Sequence, residues 1–136
     1  PLLAMDKWTG KVALVTGASS GIGAAIARSL VHHGMVVVGL ARRSERVEEL
    51  AEELSRTGEP GKLLAFKADL RKEEDILAAF SWVEDQFGGV DVLLNNAGVL
   101  YTTSMSEGKT EEWRDMLDVN VLAVCISTRE FLKSME

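Results

Sequence analysis

Short apolar runs alternate along the chain with longer stretches in which apolar residues recur every three or four positions, and that alternation predicts strands separated by helices. The first run, Val12-Ala13-Leu14-Val15, leads into Thr16-Gly17-Ala18-Ser19-Ser20-Gly21-Ile22-Gly23. A helical pattern begins at Ile22, with Ile22, Ala25, Ile26, Ser29, Leu30 and His33 on one stripe and Gly34 as its stop. Met35 to Leu40 is continuously apolar, as expected of a parallel strand covered on both faces. A second helix is expected from Glu45 to about Arg56, capped by Ser44, with Val47, Leu50, Ala51 and Leu54 inward. Leu63 to Ala68 reads as the third strand. The helix after it, from about Lys72 to Phe87, turns Ile76, Leu77, Ala79, Phe80 and Val83 inward and ends at Gly88-Gly89. Val90 to Leu94 is the fourth strand. Residues 99–109 form a polar loop before a long helix from about Thr110, with Trp113, Met116, Leu117, Val121, Val124, Phe131 and Met135 inward. This order predicts an α/β fold: a doubly wound parallel sheet with right-handed crossovers and strand order 3-2-1-4.

Composition changes the picture little. With 136 residues, 46% apolar and 26% charged, the chain suits a single domain over residues 1–136, with residues 1–6 as a tail. A net charge of −6 supplies no basic field for nucleic acid or an anionic membrane. Cys125 is the single cysteine, expected in the core, so no internal disulfide framework is available and a reducing cytoplasm is the simplest setting. His32 and His33 are neighbours about 100° apart on a helix and cannot close on one metal; they suit the negative end of that helix. Met5 reads as a natural start. The helical pattern is still running at Glu136, and a sheet ending at strand four leaves apolar surface uncovered, so the domain is expected to be incomplete.

The glycine turn carries the first chemistry. Gly17 can take the angles that turn the chain off the strand, Gly21 lets the main chain approach a pyrophosphate, and Gly23 lets the helix sit close on the sheet. The free N–H groups of the helix's first turn make an anion site, to which Ser19 and Ser20 can add hydroxyls. The glycines alone are also compatible with a plain turn. No Lys-Ser or Lys-Thr follows them, which argues against a nucleoside-triphosphate loop.

Taken with Asn95-Asn96-Ala97-Gly98 downstream, the spacing G-x-x-x-G-x-G resembles the short-chain dehydrogenase/reductase family, from about Lys7 to the last residue. The resemblance implies a Rossmann fold, a nicotinamide dinucleotide as cofactor, and contacts to it from Gly17, Ser19, Ser20, Gly21, Ile22 and Gly23. After strand two, where many such units place a carboxylate for the ribose 2′-OH, stands Ala41-Arg42-Arg43. Two guanidiniums can pair with a 2′-phosphate, which resembles the family's NADP(H)-preferring branch; the plainer reading leaves both arginines in solvent. Asp69-Leu70 matches the family's Asp beside the adenine amino group, although on physics alone Asp69 suits a helix N-cap equally well. By resemblance Asn96, Ala97 and Gly98 lie at the adenosine ribose, while Asn95 ties neighbouring strands.

Asn120 interrupts an apolar helical run, and the resemblance gives it a catalytic position, holding a water in the proton relay; the alternative is a packing Asn bonded to nearby backbone. The family's Ser and Tyr-x-x-x-Lys are expected beyond Glu136. Tyr101, the one tyrosine, is followed four residues later by Met105 and does not fit that motif. The Lys11–Ala25 stretch, the Arg42 pair and Trp113–Ala123 resemble a branch acting on ketosteroids, hydroxysteroids or isoprenoid alcohols. The expectation is thus an NADP(H)-dependent oxidoreductase with a small apolar alcohol or ketone substrate, no metal, no nucleic-acid or membrane partner, and a homo-oligomer at full length, the chain itself being inactive. A non-catalytic nucleotide-binding or interaction module is the rival, and a methyltransferase on a related fold is a weaker third because no acid follows strand two.

Overall fold

A computed structural model describes residues 2–19 and 21–136, the side chains of residues 2–4 excepted. After a 3-10 helix over Leu2–Trp8, the elements are β1 (Val12–Thr16), α1 (Gly21–His32), β2 (Val36–Ala41), α2 (Ser44–Arg56), β3 (Lys62–Lys67), α3 (Glu73–Phe87), β4 (Val92–Leu94), α4 (Thr110–Leu117), a π-helical turn (Asp118–Leu122) and α5 (Ala123–Ser134). The strands form one parallel sheet in the order β3-β2-β1-β4, with Leu14 opposite Val38 on one side and Leu93 on the other. The 3-10 helix takes in most of the expected tail, residues 1–6, and runs on to Trp8, which packs against the sheet face covered by α1 and α2.

Because side chains alternate along a strand, β1 and β2 feed two cores. Val12, Leu14, Val38 and Leu40 face α3 and α5, meeting Ile76, Phe80, Val83 and Ile126. Ala13, Val15 and Val37 face α1 and α2, meeting Val31, Val47 and Leu54. Each valine, leucine, isoleucine or phenylalanine among them, fully buried, contributes about 1.5–3 kcal/mol. The two central strands therefore carry no charge and only one polar side chain, Thr16 at the end of β1, and β3, at an edge, has exposed lysines at both ends.

Two helices differ from the expected stripes. In α1 the buried residues are Gly23, Ala27 and Val31, while Ile22 is 73% exposed and Ala25 and Ser29 face solvent. The helix packs by its small side, because the glycine turn holds its first turn too near the sheet for larger residues. In the last helix the π-helical turn inserts one residue into the repeat, which rotates everything after it by about a quarter turn. Val119, Ala123, Ile126 and Ser127 become the buried set, and Val121, Cys125 and Met135, expected inside, are exposed; Leu117, just before the turn and also expected inside, is exposed as well. In α3 Leu77 also lies on the rim, 38% exposed. Ser44 is the first residue of α2 rather than its cap; Arg43 occupies the cap position and makes no side-chain capping bond.

Candidate functional site

A cleft of about 510 Å³ opens at the carboxyl ends of the strands. Its walls come from the glycine turn (Gly17, Ser19, Ile22), the end of β2 with the start of α2 (Leu40 to Arg43, Arg46), the β3–α3 turn (Ala68 to Arg71) and the segment after β4 (Asn96 to Val99, Tyr101).

The floor is built on Thr16, buried at the end of β1. Its Oγ1 accepts the backbone N–H groups of Asn96 and Ala97, each at 3.0 Å. The Asn96 side chain answers by donating to Thr16 O at 3.1 Å and Gly17 O at 3.2 Å. Asn96 therefore does the strand-tying expected of Asn95, whose side chain instead donates to Thr128 Oγ1 of α5 at 3.2 Å. Both strand ends are locked together directly beneath the glycine turn. A Cβ on Gly17, at φ +66°, would lie 2.8 Å from Ala97 Cα, and a Cβ on Gly23 would overlap Gly17 O and Asn96 Nδ2. Gly21 differs: at φ +59° it has open space where a Cβ would stand. Two glycines are thus required by the protein's own packing, and the third leaves room for something else. Ser20 lies outside the described residues.

Arg42 and Arg43 stand exposed where β2 ends, and Arg46, on the first turn of α2, lines the same wall. Among the described residues none of the three has a carboxylate within ion-pair distance. Three cations gathered at a helix N-terminus oppose its dipole, so the wall is electrostatically set for an anion.

Asp69 does not cap α3. Lys72 is at the cap position without a side-chain bond, and Asp75 reaches back from the helix to accept the Asp69 N–H at 2.8 Å. The Asp69 carboxylate is instead held by Arg71: Oδ1 accepts the Arg71 backbone N–H and Nε–H, both at 3.0 Å, and Oδ2 accepts Nη2–H at 2.8 Å. These bonds from Arg71 lower the Asp69 pKa to about 2, against a smaller opposing effect of desolvation, with Arg42 adding a weaker attraction. The other guanidinium nitrogen of Arg71 points to Asp115 of α4, 3.4 Å from Oδ2, which also accepts the Tyr101 hydroxyl at 2.9 Å. That bond raises the Tyr101 pKa.

Asn120 was expected either to hold a water in the proton relay or to bond nearby backbone, and its side chain does the second. It is exposed, in the π-helical turn, and its carboxamide accepts the Val99 N–H and donates to the Val99 carbonyl, both at 2.8 Å. The side chain thus fixes the start of the loop after β4. Trp113 fixes its end, lying against Gly108 where a Cβ would overlap the indole. Leu70, Ala97 and Gly98 line the cleft as expected. No group of histidine, cysteine and carboxylate side chains able to hold a metal occurs among the described residues, and His33 donates its Nδ1–H to Ser29 O at 2.8 Å near the end of α1.

Sequence reasoning missed Arg46, Arg71, Asp115 and the structural role of Thr16. Arg46 was within reach, since it lies one helical turn from Arg42 and Arg43. The contact of Arg71 with Asp115 spans 44 positions and has no local signal.

The short chain dehydrogenase family model matches residues 11–136. Dehydrogenase/reductase SDR family member 11 from Gallus gallus is 55% identical over 132 residues, covering 97% of this chain and 52% of that protein. Farnesol dehydrogenase from Aedes aegypti is 53% identical over 133 residues, covering 97% and 54%. Among solved structures, L-sorbose reductase from Gluconobacter frateurii, complexed with NADPH and L-sorbose, superposes with a TM-score of 0.87 at 34% identity, covering 94% of this chain and 48% of that one. The chain spans about half the length of the curated relatives it matches.

Proposed function

The chain belongs to the short-chain dehydrogenase family, and from that premise we propose that its cleft holds the adenosine end of NADP(H) in an oxidoreductase acting on a carbonyl or alcohol. The observation that carries the proposal is the wall of Arg42, Arg43 and Arg46 beside the glycine turn, without a carboxylate partner among the described residues. The residues fit the group. Gly21 leaves space at a left-handed backbone position, where a pyrophosphate can approach the main chain, and the arginines match a 2′-phosphate by charge-assisted bonds. Ala41, buried at the end of β2, adds no negative charge there. Asp69 faces the adenine, and Asn96, Ala97 and Gly98 face the ribose.

When bound, the nicotinamide supplies or accepts a hydride. The protein's part in this chain is to bind and orient. Asn120 spends its carboxamide on Val99; in this proposal it stands beside the proton relay, in a π-helical turn of the kind that recurs at functional sites, and holds the start of the loop after β4 in place there. Tyr101 is no proton-transfer group, because Asp115 holds its proton and raises its pKa further from neutrality. No Tyr-x-x-x-Lys occurs in residues 1–136. The chain by itself is accordingly proposed to bind cofactor and not to turn over substrate. The identity to a farnesol dehydrogenase supports an isoprenoid or other apolar alcohol as the substrate of the full-length protein.

The test is Arg42→Ala. It should weaken NADPH by about 1–3 kcal/mol, the cost of a lost charge-assisted contact, and leave NADH nearly unchanged. An equal loss for both cofactors removes the 2′-phosphate from the account.

A further inference from the structure

The Asp69 carboxylate offers about four acceptor sites, two on each oxygen. Arg71 fills both on Oδ1, with its backbone N–H and Nε–H, and one on Oδ2, with Nη2–H. One site is left, and it is on Oδ2. Arg71 is itself held at its far end, where Nη1 lies 3.5 and 3.4 Å from the Asp115 carboxylate oxygens, and Asp115 is anchored in turn by the Tyr101 hydroxyl. The Asp69 backbone is fixed independently by Asp75. A carboxylate beside a cleft ordinarily rotates to suit whatever donor arrives. Here the planar fork of an arginine, pinned at both ends, removes that rotation.

We propose that Arg71 is a positioning residue for purine recognition: it orients Asp69 so that the single open acceptor on Oδ2 takes an exocyclic amino group, with Asp115 and Tyr101 holding Arg71 in place. The inference rests on the proposed cofactor reading and deepens it. It makes the site selective for a 6-aminopurine over a 6-oxopurine, because the oxo group offers an acceptor where Oδ2 needs a donor. Three segments distant in sequence, the β3–α3 turn, the loop after β4 and α4, then meet at one selectivity device. An unpinned Asp69 would keep its charge and lose its aim.

The readout is the ratio of affinities for NADPH and its deamino analogue, in which hypoxanthine replaces adenine, measured by fluorescence titration at pH 7. The unsubstituted chain should prefer NADPH by roughly tenfold or more, the value of one hydrogen bond to a charged acceptor. Arg71→Gln should bring the ratio to about threefold or less, and Arg71→Lys should lose it comparably, since an ammonium keeps the charge but not the fork. Arg42→Ala should weaken both ligands and leave the ratio alone. Circular dichroism checks that each variant is folded, which the exposed position of Arg71 favours. An unchanged ratio in Arg71→Gln overturns the inference, as does full retention in Arg71→Lys, which would make charge sufficient. A ratio that rises in Arg71→Gln overturns it too, because Arg71 would then be withholding the carboxylate. If the unsubstituted chain binds neither dinucleotide, the cofactor reading fails first; if it binds both equally, only the purine device fails.

Discussion

Gly21→Ala and Gly23→Ala add the same methyl group two residues apart and should fail in opposite ways. At Gly23 the new Cβ overlaps Gly17 O and the Asn96 side-chain nitrogen, neither of which is free to move. Overpacking of this kind costs about 1–3 kcal/mol. The displaced Asn96 carboxamide also loses bonds to Thr16 O and Gly17 O, each worth about 1 kcal/mol. Gly23→Ala should therefore destabilise the chain by about 3–5 kcal/mol, a large part of the roughly 5–15 kcal/mol that holds an ordinary domain together. At Gly21 nothing lies within 4 Å of the added methyl, so only the left-handed conformation at φ +59° is penalised, by about 1–2 kcal/mol. Its methyl instead occupies space proposed for the diphosphate, and NADPH affinity should drop at least tenfold. Urea unfolding followed by fluorescence of Trp8, Trp82 and Trp113 measures the first effect, and NADPH titration of the folded Gly21→Ala chain measures the second. Equal stability losses would refute the packing argument. Unaltered affinity in Gly21→Ala would refute the diphosphate placement.

Thr16→Val keeps the shape of a buried side chain but strips the acceptor from the Asn96 and Ala97 N–H groups, and should cost about 2–4 kcal/mol in urea unfolding, with Thr16→Ser recovering most of it. Arg71→Gln should show a pH-dependent loss of stability. The Asp69 pKa in the folded chain, about 2, lies below its ordinary 3.8, so the contribution is fully present above about pH 4 and disappears as the pH falls through 2. Allowing for solvent screening, the variant should lose about 1 kcal/mol at pH 6 and almost nothing near pH 2; an equal loss at both would show that charge is not the cause. Asn120→Ala, by releasing Val99, should speed amide exchange at Val99 and in the loop after it while leaving β1 and β2 protected, and uniform exchange changes would contradict that local role.

The sheet and its order were legible because the central strands are continuous apolar runs up to Thr16 in β1 and through Ala41 in β2, and the intervening helices are separated by glycines. Gly34, at φ +87°, and Gly88, at φ +85°, take the left-handed angles that end a helix. The glycine turn was legible for the same reason, as only glycine satisfies the angle at Gly17 and the contact at Gly23. Helix faces were less so. Apolar periodicity favours large residues, and α1 packs by Gly23, Ala27 and Val31. Nothing in Asp118-Val119-Asn120-Val121-Leu122 announces a π-helical turn, and the single residue it inserts moved Cys125 and Met135, which follow it, from an expected interior to the surface. In the cleft, residues close in sequence to the motifs were found, whereas Arg71, Asp115 and Tyr101 are joined only by the fold.

The central claim is that this cleft binds a dinucleotide carrying a 2′-phosphate, and its most direct test is a calorimetric titration of the folded chain with NADPH, with NADH and with adenosine 2′,5′-bisphosphate. The account predicts that NADPH binds more tightly than NADH by about tenfold or more, the value of charge-assisted contacts to the 2′-phosphate, and that the bisphosphate, which holds only the adenosine end, retains most of that advantage. A folded chain that binds none of the three, or that binds NADPH and NADH alike, would contradict it.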